Sequence, residues 1–236
     1  MSKVGDSISA GNASWTFSGD VVNTFEDHVS KSVPFYNEGH DLILKLSDFF
    51  VKSDSVCYEF GSSSGILSHK LAKRNESKAG ARFIGIDCVT DMVNFANKKY
   101  QAPNLSFQVD DILCCELEQS DFIVSYYVLQ FVRPSQRQEL IDRIYRNLKW
   151  GGAFICFEKV RAPDARFQDM MTALYTDYKI DQGYNADEIV GKTRSLKGVL
   201  EPFSTAGNTD LFKRAGFVDV MSIFKYVCFE GFLCIK

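Results

Sequence analysis

Tyr58-Glu59-Phe60-Gly61-Ser62-Ser63-Ser64-Gly65 decides how the rest of this 236-residue chain is read. An apolar run beginning at Ser55 enters it as a strand, and residues 66–75 (ILSHKLAKRN) leave it with helical spacing. Two glycines in the turn let a ligand approach the backbone closely. Free amides at the start of the following helix supply hydrogen-bond donors. An E-x-G-x-x-x-G run also closes ordinary tight turns, so its meaning rests on what surrounds it.

The surroundings alternate. Residues 81–87 (ARFIGID) read as a strand, 90–100 as a helix with Thr90 at its N-cap, 105–109 and 121–128 as strands, 134–148 as a long amphipathic helix opened by Pro134, and 151–159 (GGAFICFEK) as a fifth strand. Strand–helix alternation predicts an α/β fold with a mostly parallel sheet and helices on both faces. The C-terminal stretches 217–227 and 229–236 are separated by almost nothing and read as a closing antiparallel hairpin. Between them and the fifth strand, 160–205 carries two helical stretches, 164–180 and 186–199, with no strand between, and reads as an insertion over the site. Ahead of the alternation, residues 1–14 are small and polar, as in a flexible arm. Phe17, Val21, Val22, Phe25 and Val29 then mark a first helix, and Pro34 opens a second that runs to about Phe50. The resulting division is an N-terminal arm and helical lid over 1–52 and a ligand-binding domain over 53–236.

Composition excludes several classes. A net charge of −3 gives no basic face for nucleic acid. No apolar run approaches the ~18 residues of a membrane span, and the first residues hold no apolar h-region. Seven cysteines, an odd number without CxxC spacing and apart from the three histidines, predict free thiols rather than zinc or a disulfide framework. That usage suits a reducing cytoplasm.

The candidate site lies at the strand ends. Asp87 closes the second strand about 20 residues past the glycine turn, where a carboxylate can accept from both hydroxyls of a ribose. Asp110 and Asp111 follow the third strand, within reach of an adenine amino group. Each aspartate alone would also serve as a turn residue, but acids closing three successive strands form an ordered set. The turn lacks the G-x-G-x-x-G spacing that packs against a pyrophosphate. Glu59 beside it suits a cationic ligand, which points to S-adenosylmethionine (SAM), a sulfonium with no phosphate, rather than a dinucleotide.

These residues resemble the class I SAM-dependent methyltransferases: Glu59–Gly65 looks like their first motif, Asp87 their second, Asp111-Ile112 their third, and Asn147-Leu148-Lys149-Trp150-Gly151-Gly152 their post-core turn. A narrower resemblance runs nearly the whole length, to the bacterial carboxy-SAM synthases of tRNA wobble-uridine modification. It is carried by Trp15-Thr16-Phe17, Phe25-Glu26-Asp27, Ser32-Val33-Pro34 with Tyr36, Leu129-Gln130-Phe131-Val132-Arg133-Pro134 with Arg137, Gly183-Tyr184 with Glu188-Ile189, and Ala215-Gly216-Phe217. The resemblance implies a Rossmann-like methyltransferase fold, SAM as cofactor and a homodimer. It places Tyr36, Glu59, Gly61, Ser62, Ser63, Gly65, Asp87, Cys88, Asp111, Ile112 and Tyr126 around SAM. The synthases make carboxy-SAM from SAM and prephenate and hold the new carboxylate with an arginine. The ungapped match to that arginine is Thr193, with Arg194 one residue late, about 100° around a helix. The family's asparagine near the sulfonium matches Tyr126, and its Asp-Asn pair matches Asp87-Cys88.

These departures favour methyl transfer from SAM to a small-molecule acceptor as the first reading. Carboxy-SAM synthesis is the alternative, and a SAM-binding module without turnover is a third. Candidate catalytic groups are His28, Tyr126 and Glu158, with His40 a weaker candidate base; Tyr36 and Arg194 are expected at the second substrate. No metal is expected, because displacement at a sulfonium methyl needs placement and at most a general base.

Overall fold

A computed structural model describes residues 2–5, 8–17 and 21–236. Two short strands, β1 (Ser2–Lys3) and β2 (Ser9–Ala10), pair antiparallel at the start. Val4, Ile8, Ala10 and Trp15 are buried there against Leu196 and Val199, so the expected flexible arm is instead a packed flap. Helices α1 (Val21–Ser32) and α2 (Tyr36–Phe50) follow, split by Pro34 and by Phe35 in the left-handed region at φ 56°.

Next come β3 (Val56–Phe60), α3 (Ile66–Arg74), β4 (Arg82–Asp87), α4 (Thr90–Lys99), β5 (Leu105–Val109), β6 (Ser120–Tyr126), a 3-10 turn at Leu129–Phe131, α5 (Pro134–Asn147) and β7 (Leu148–Lys159). Residues 160–205 supply α6 (Ala165–Asp181) and α7 (Ala186–Ser195). Helix α8 (Thr205–Ala215) and strands β8 (Asp219–Tyr226) and β9 (Phe229–Ile235) finish the chain. The sequence reading passed over α8. Its signals were local: Ser204 accepts from the Gly207 amide at 3.1 Å as N-cap, and Gly216 closes the helix in the left-handed region. Thr90 is not an N-cap either; it is the first helical residue, and Asp87 caps the turn before it by accepting from the Val89 amide.

The sheet order is β5-β4-β3-β6-β7-β9-β8. The first five strands are parallel, and β9 pairs antiparallel with both β7 and β8. This is the Rossmann-like class I methyltransferase architecture with its antiparallel C-terminal hairpin. The period-2 alternation of β7 divides two cores: Phe154 and Cys156 pack with Leu140, Ile141 and Ile144 of α5 and Phe212 of α8, while Ala153, Ile155 and Phe157 pack with Ile43 of α2 and Leu67 and Leu71 of α3. Central strands buried on both faces explain why their sequences read as continuous apolar runs. Strand order reverses between β3 and β6, and at such a reversal the chain leaves opposite ways and opens a crevice at the strand ends. Among the described residues no helix is long and apolar enough to cross a membrane.

Candidate functional site

A cavity of about 700 Å³ opens at that crevice. Its floor is the carboxyl ends of β3, β4 and β6 with the loop after β5. Its roof is α1, the end of β7, α6, α7 and the loop after α7.

The floor is held by the backbone. Gly61 and Gly65 sit at φ 67° and 81°, and a Cβ on Gly65 would strike Phe107 and Ala96. The Gly61 and Ser62 amides donate to the Ile86 carbonyl at 2.7 and 3.0 Å, tying the turn to the next strand. Asp87 completes the tie: one carboxylate oxygen accepts from the Ser63 amide at 2.8 Å and the other from the Val89 amide at 2.9 Å. Each oxygen keeps a second lone pair, so Asp87 can still take two ligand hydroxyls. Burial raises its carboxyl above the usual carboxylate range, against the two amides, which lower it.

Glu59 is buried, accepts from the Ser68 hydroxyl, and lines the cavity. Burial, with a smaller push from Asp87, raises its carboxyl to about 8. The Ser62 hydroxyl, on the same cavity wall, is buried with no partner among the described residues. Asp111 accepts from the Leu113 amide at 2.9 Å through one oxygen. A buried acid and an orphaned hydroxyl fit the ammonium of SAM, and a carboxylate with spare lone pairs fits its ribose.

The roof is built differently, from aromatic rings and cations. The Trp15 and His28 rings stack at 5.7 Å, and the Lys192 Nζ lies 2.7 Å from the Trp15 ring centroid and 3.2 Å from His28 Nε2. His28 Nδ1 meets the Tyr184 hydroxyl at 3.4 Å. An ammonium only donates, so Nε2 accepts and Nδ1 carries the proton. Lys159, Arg161, Lys179 and Thr193 also line the cavity. Tyr126 is wedged among Tyr36, Tyr127 and Phe157, and its hydroxyl donates to the Tyr36 carbonyl at 2.7 Å.

Most residues singled out from sequence meet here: Tyr36, Glu59, Gly61, Ser62, Ser63, Asp87, Cys88, Asp111, Ile112, Tyr126 and His28 all line the cavity. Gly65, Glu158 and Arg194 are not among its lining residues. Gly65 instead permits close packing of α3 and α4 on the sheet. Glu158 is buried behind the floor, where it accepts from the Leu129 amide at 2.9 Å and anchors the 3-10 turn near the buried Arg137. Arg194 contributes its carbonyl to the Ala13 amide. Burial and nearby Lys70 lower His40 to about 3, so it stays neutral behind Tyr36 and Tyr126. Sequence reasoning missed Lys159, Tyr175, Lys179 and Lys192. Only Lys159 left a signal, as the residue that ends the fifth strand.

A family model described as a methyltransferase domain matches residues 58–152. Carboxy-S-adenosyl-L-methionine synthase of Staphylococcus epidermidis is 33% identical over 94% of this chain and 97% of that relative. The synthase of Campylobacter lari is 34% identical over 93% of this chain and 94% of its own length. In fold, the chain is similar to an O-methyltransferase family protein from Burkholderia thailandensis, with TM-score 0.64 at 15% identity over 91% of this chain and 59% of that one. It is also similar to human N-acetylserotonin methyltransferase, with TM-score 0.56 at 16% identity over 94% and 60%.

Proposed function

The chain belongs to the carboxy-S-adenosyl-L-methionine synthase family, and we propose on that premise that it converts SAM to carboxy-SAM, with prephenate as the second, anionic substrate. It is a SAM-dependent enzyme on a methyltransferase fold. Similarity along almost the full length of both synthases supports carboxy-SAM synthesis over transfer of the methyl to another acceptor, reversing the order that Thr193 and Tyr126 suggested.

The observation that carries the reading is the division of charge in one cavity. Glu59, Asp87, Asp110 and Asp111 lie at the ends of β3, β4 and β5, while the lysines and an arginine lie at the end of β7 and along the roof, where Glu201 is the one acid among the described residues that line the cavity. A cationic ligand on the floor accounts for Glu59 and Asp87. It leaves Lys159 and Lys179, on which none of the cavity's acids acts, to be matched by an anion entering beside it. SAM supplies a methyl group activated by its sulfonium. Asp87 takes the ribose hydroxyls, Glu59 and Ser62 stand on the ammonium side, and Asp111 and Ile112 stand at the adenine. Tyr36 and Tyr126 offer aromatic faces beside the sulfonium, which favour a cation by about 0.5–2 kcal/mol. Trp15, Phe17 and Phe131 pack edge to face along the cavity wall and give the reacting groups an apolar side that water does not occupy.

A net charge of −3 supports a small-molecule substrate rather than direct contact with tRNA. Free thiols support a cytoplasmic setting. An exposed apolar stripe on α6, Phe167, Met170 and Leu174, supports pairing of two copies, which sedimentation of the purified protein tests by mass.

The decisive experiment is mass spectrometry of the products formed from SAM and prephenate, together with the ligands released from the purified protein on denaturation. Carboxy-SAM in both is expected. SAM or S-adenosylhomocysteine alone, with no carboxy-SAM formed, would return the chain to methyl transfer.

A further inference from the structure

Elsewhere on the wall of the same cavity, two lysines crowd one aromatic ring. Lys159 Nζ lies 4.2 Å from the centroid of the Tyr175 ring, and Lys179 Nζ lies 4.6 Å from the same centroid. The ring is fixed at both ends. Its hydroxyl donates to the Ser32 carbonyl at 2.8 Å, and its face meets Phe229 edge-on at 5.2 Å. All three residues line the cavity.

Neither ammonium forms a hydrogen bond or ion pair through its Nζ among the described residues. The acids that line the cavity are Glu59, Asp87, Asp110, Asp111 and Glu201, and none of them is among the charges acting on either lysine. What acts on Lys159 is burial, then the Cys228 thiol and Arg161. What acts on Lys179 is burial, then Lys159 itself and Cys228, and burial with that like charge lowers it to about 8. Two ammonium groups that repel each other at the edge of an apolar wall are unfavourable alone. Each carries three N–H donors and no acceptor. One anionic group shared between them would relieve both the repulsion and the unmet donors.

We propose that Lys159 and Lys179, set against Tyr175, form the subsite for a carboxylate of the second substrate, with the Tyr175 and Phe229 rings as the apolar surface for its hydrocarbon part. The proposal rests on the carboxy-SAM reading for the identity of that substrate, and on the lysine geometry alone for the site. It gives the cavity a carboxylate anchor although Thr193 stands where the resemblance expects an arginine and Arg194 does not line the cavity.

The test uses Lys159→Met and Lys179→Met in the full chain, with Lys179→Gln as a milder variant at the less buried position. SAM affinity by calorimetry reports the fold and the floor. Prephenate binding to protein loaded with S-adenosylhomocysteine, read by ligand-observed NMR, reports the subsite. SAM affinity is expected within about twofold of wild type in all three variants. Prephenate affinity is expected to fall at least tenfold in the methionine variants, and the KM for prephenate in carboxy-SAM formation is expected to rise by more than kcat falls. Unchanged prephenate affinity in variants that still bind SAM would overturn the proposal, as would a wild type that binds no prephenate. A wild type that binds prephenate through these lysines yet makes no carboxy-SAM would keep the subsite and remove the reaction.

Discussion

The floor and roof of the cavity hold their charges by different means. Each floor acid is held by the chain around it. Asp87 takes two backbone amides, Asp111 takes one, and Glu59 takes the Ser68 hydroxyl. Three roof lysines lie on rings: Lys192 on Trp15, and Lys159 and Lys179 on Tyr175. A carboxylate fixed by amides belongs to a turn whose conformation is set by glycine and sheet pairing, so it is ready before any ligand arrives. An ammonium on a flexible stem over a ring gains only a weak, adjustable attraction. The floor is therefore built to recognise one ligand, and the roof to settle around another.

The hardest way to break this contrast is to remove the carboxylate on which the floor depends. Asp87→Ala takes away the acceptors for the ribose and leaves the Ser63 and Val89 amides unpaired, opening the turn that shapes the rest of the site. SAM affinity measured by calorimetry should fall at least tenfold. Asp87→Asn, which retains one acceptor oxygen, should lie between. An unchanged affinity in Asp87→Ala would mean that the ligand does not sit on the strand ends at all.

Legibility divides along the same line. The floor could be read from sequence because its residues follow one another in strand order: the glycine turn after Glu59, then an acid at the end of each of the next two strands. The α/β alternation and the hairpin were legible for a similar reason, since apolar runs of period 2 and period 3.6 are local signals. The roof is assembled from α1, the end of β7, α6 and α7; Tyr175 and Lys179 are a helical turn apart, but nothing in the spacing announces that Lys159 joins them on the same ring. Glu158 shows the converse. An acid at the end of a strand read as a catalytic candidate, and the fold uses it to hold the Leu129 amide. Arg194 lost its expected place because one helical position separates it from Thr193, and it is Thr193 that lines the cavity.

The contrast sharpens with pH. With no ligand, Glu59 holds its proton up to about 8, because burial disfavours the carboxylate. Its ordinary value is 4.5, so the ligand-free fold loses stability as pH rises from there through about 8. A bound ammonium reverses the balance and draws the proton off. Binding of SAM at pH 7 should therefore release a proton, seen as a dependence of the calorimetric heat on the ionisation heat of the buffer. The release should fade above about pH 8, and the gap in thermal midpoint between liganded and free protein should widen toward that pH. Glu59→Gln should lose the proton release and weaken binding several-fold. Equal buffer dependence in wild type and Glu59→Gln would place the ammonium elsewhere.

The smallest effect expected is the most informative about the reaction. Glu158 is buried and off the cavity, and burial raises it to about 8 against the pull of Arg137 and the Leu129 and Gln130 amides. Near neutral pH it is already largely protonated, so Glu158→Gln replaces a neutral acid with a neutral amide of the same shape. The amide oxygen can still accept from Leu129. Stability by thermal melting should change by about 1 kcal/mol or less, and carboxy-SAM formation should stay within about twofold of wild type. A general base in the same position would lose about 10²–10⁴-fold on that substitution. A drop of that size would move Glu158 from the frame of the site into its chemistry and make the floor do more than bind.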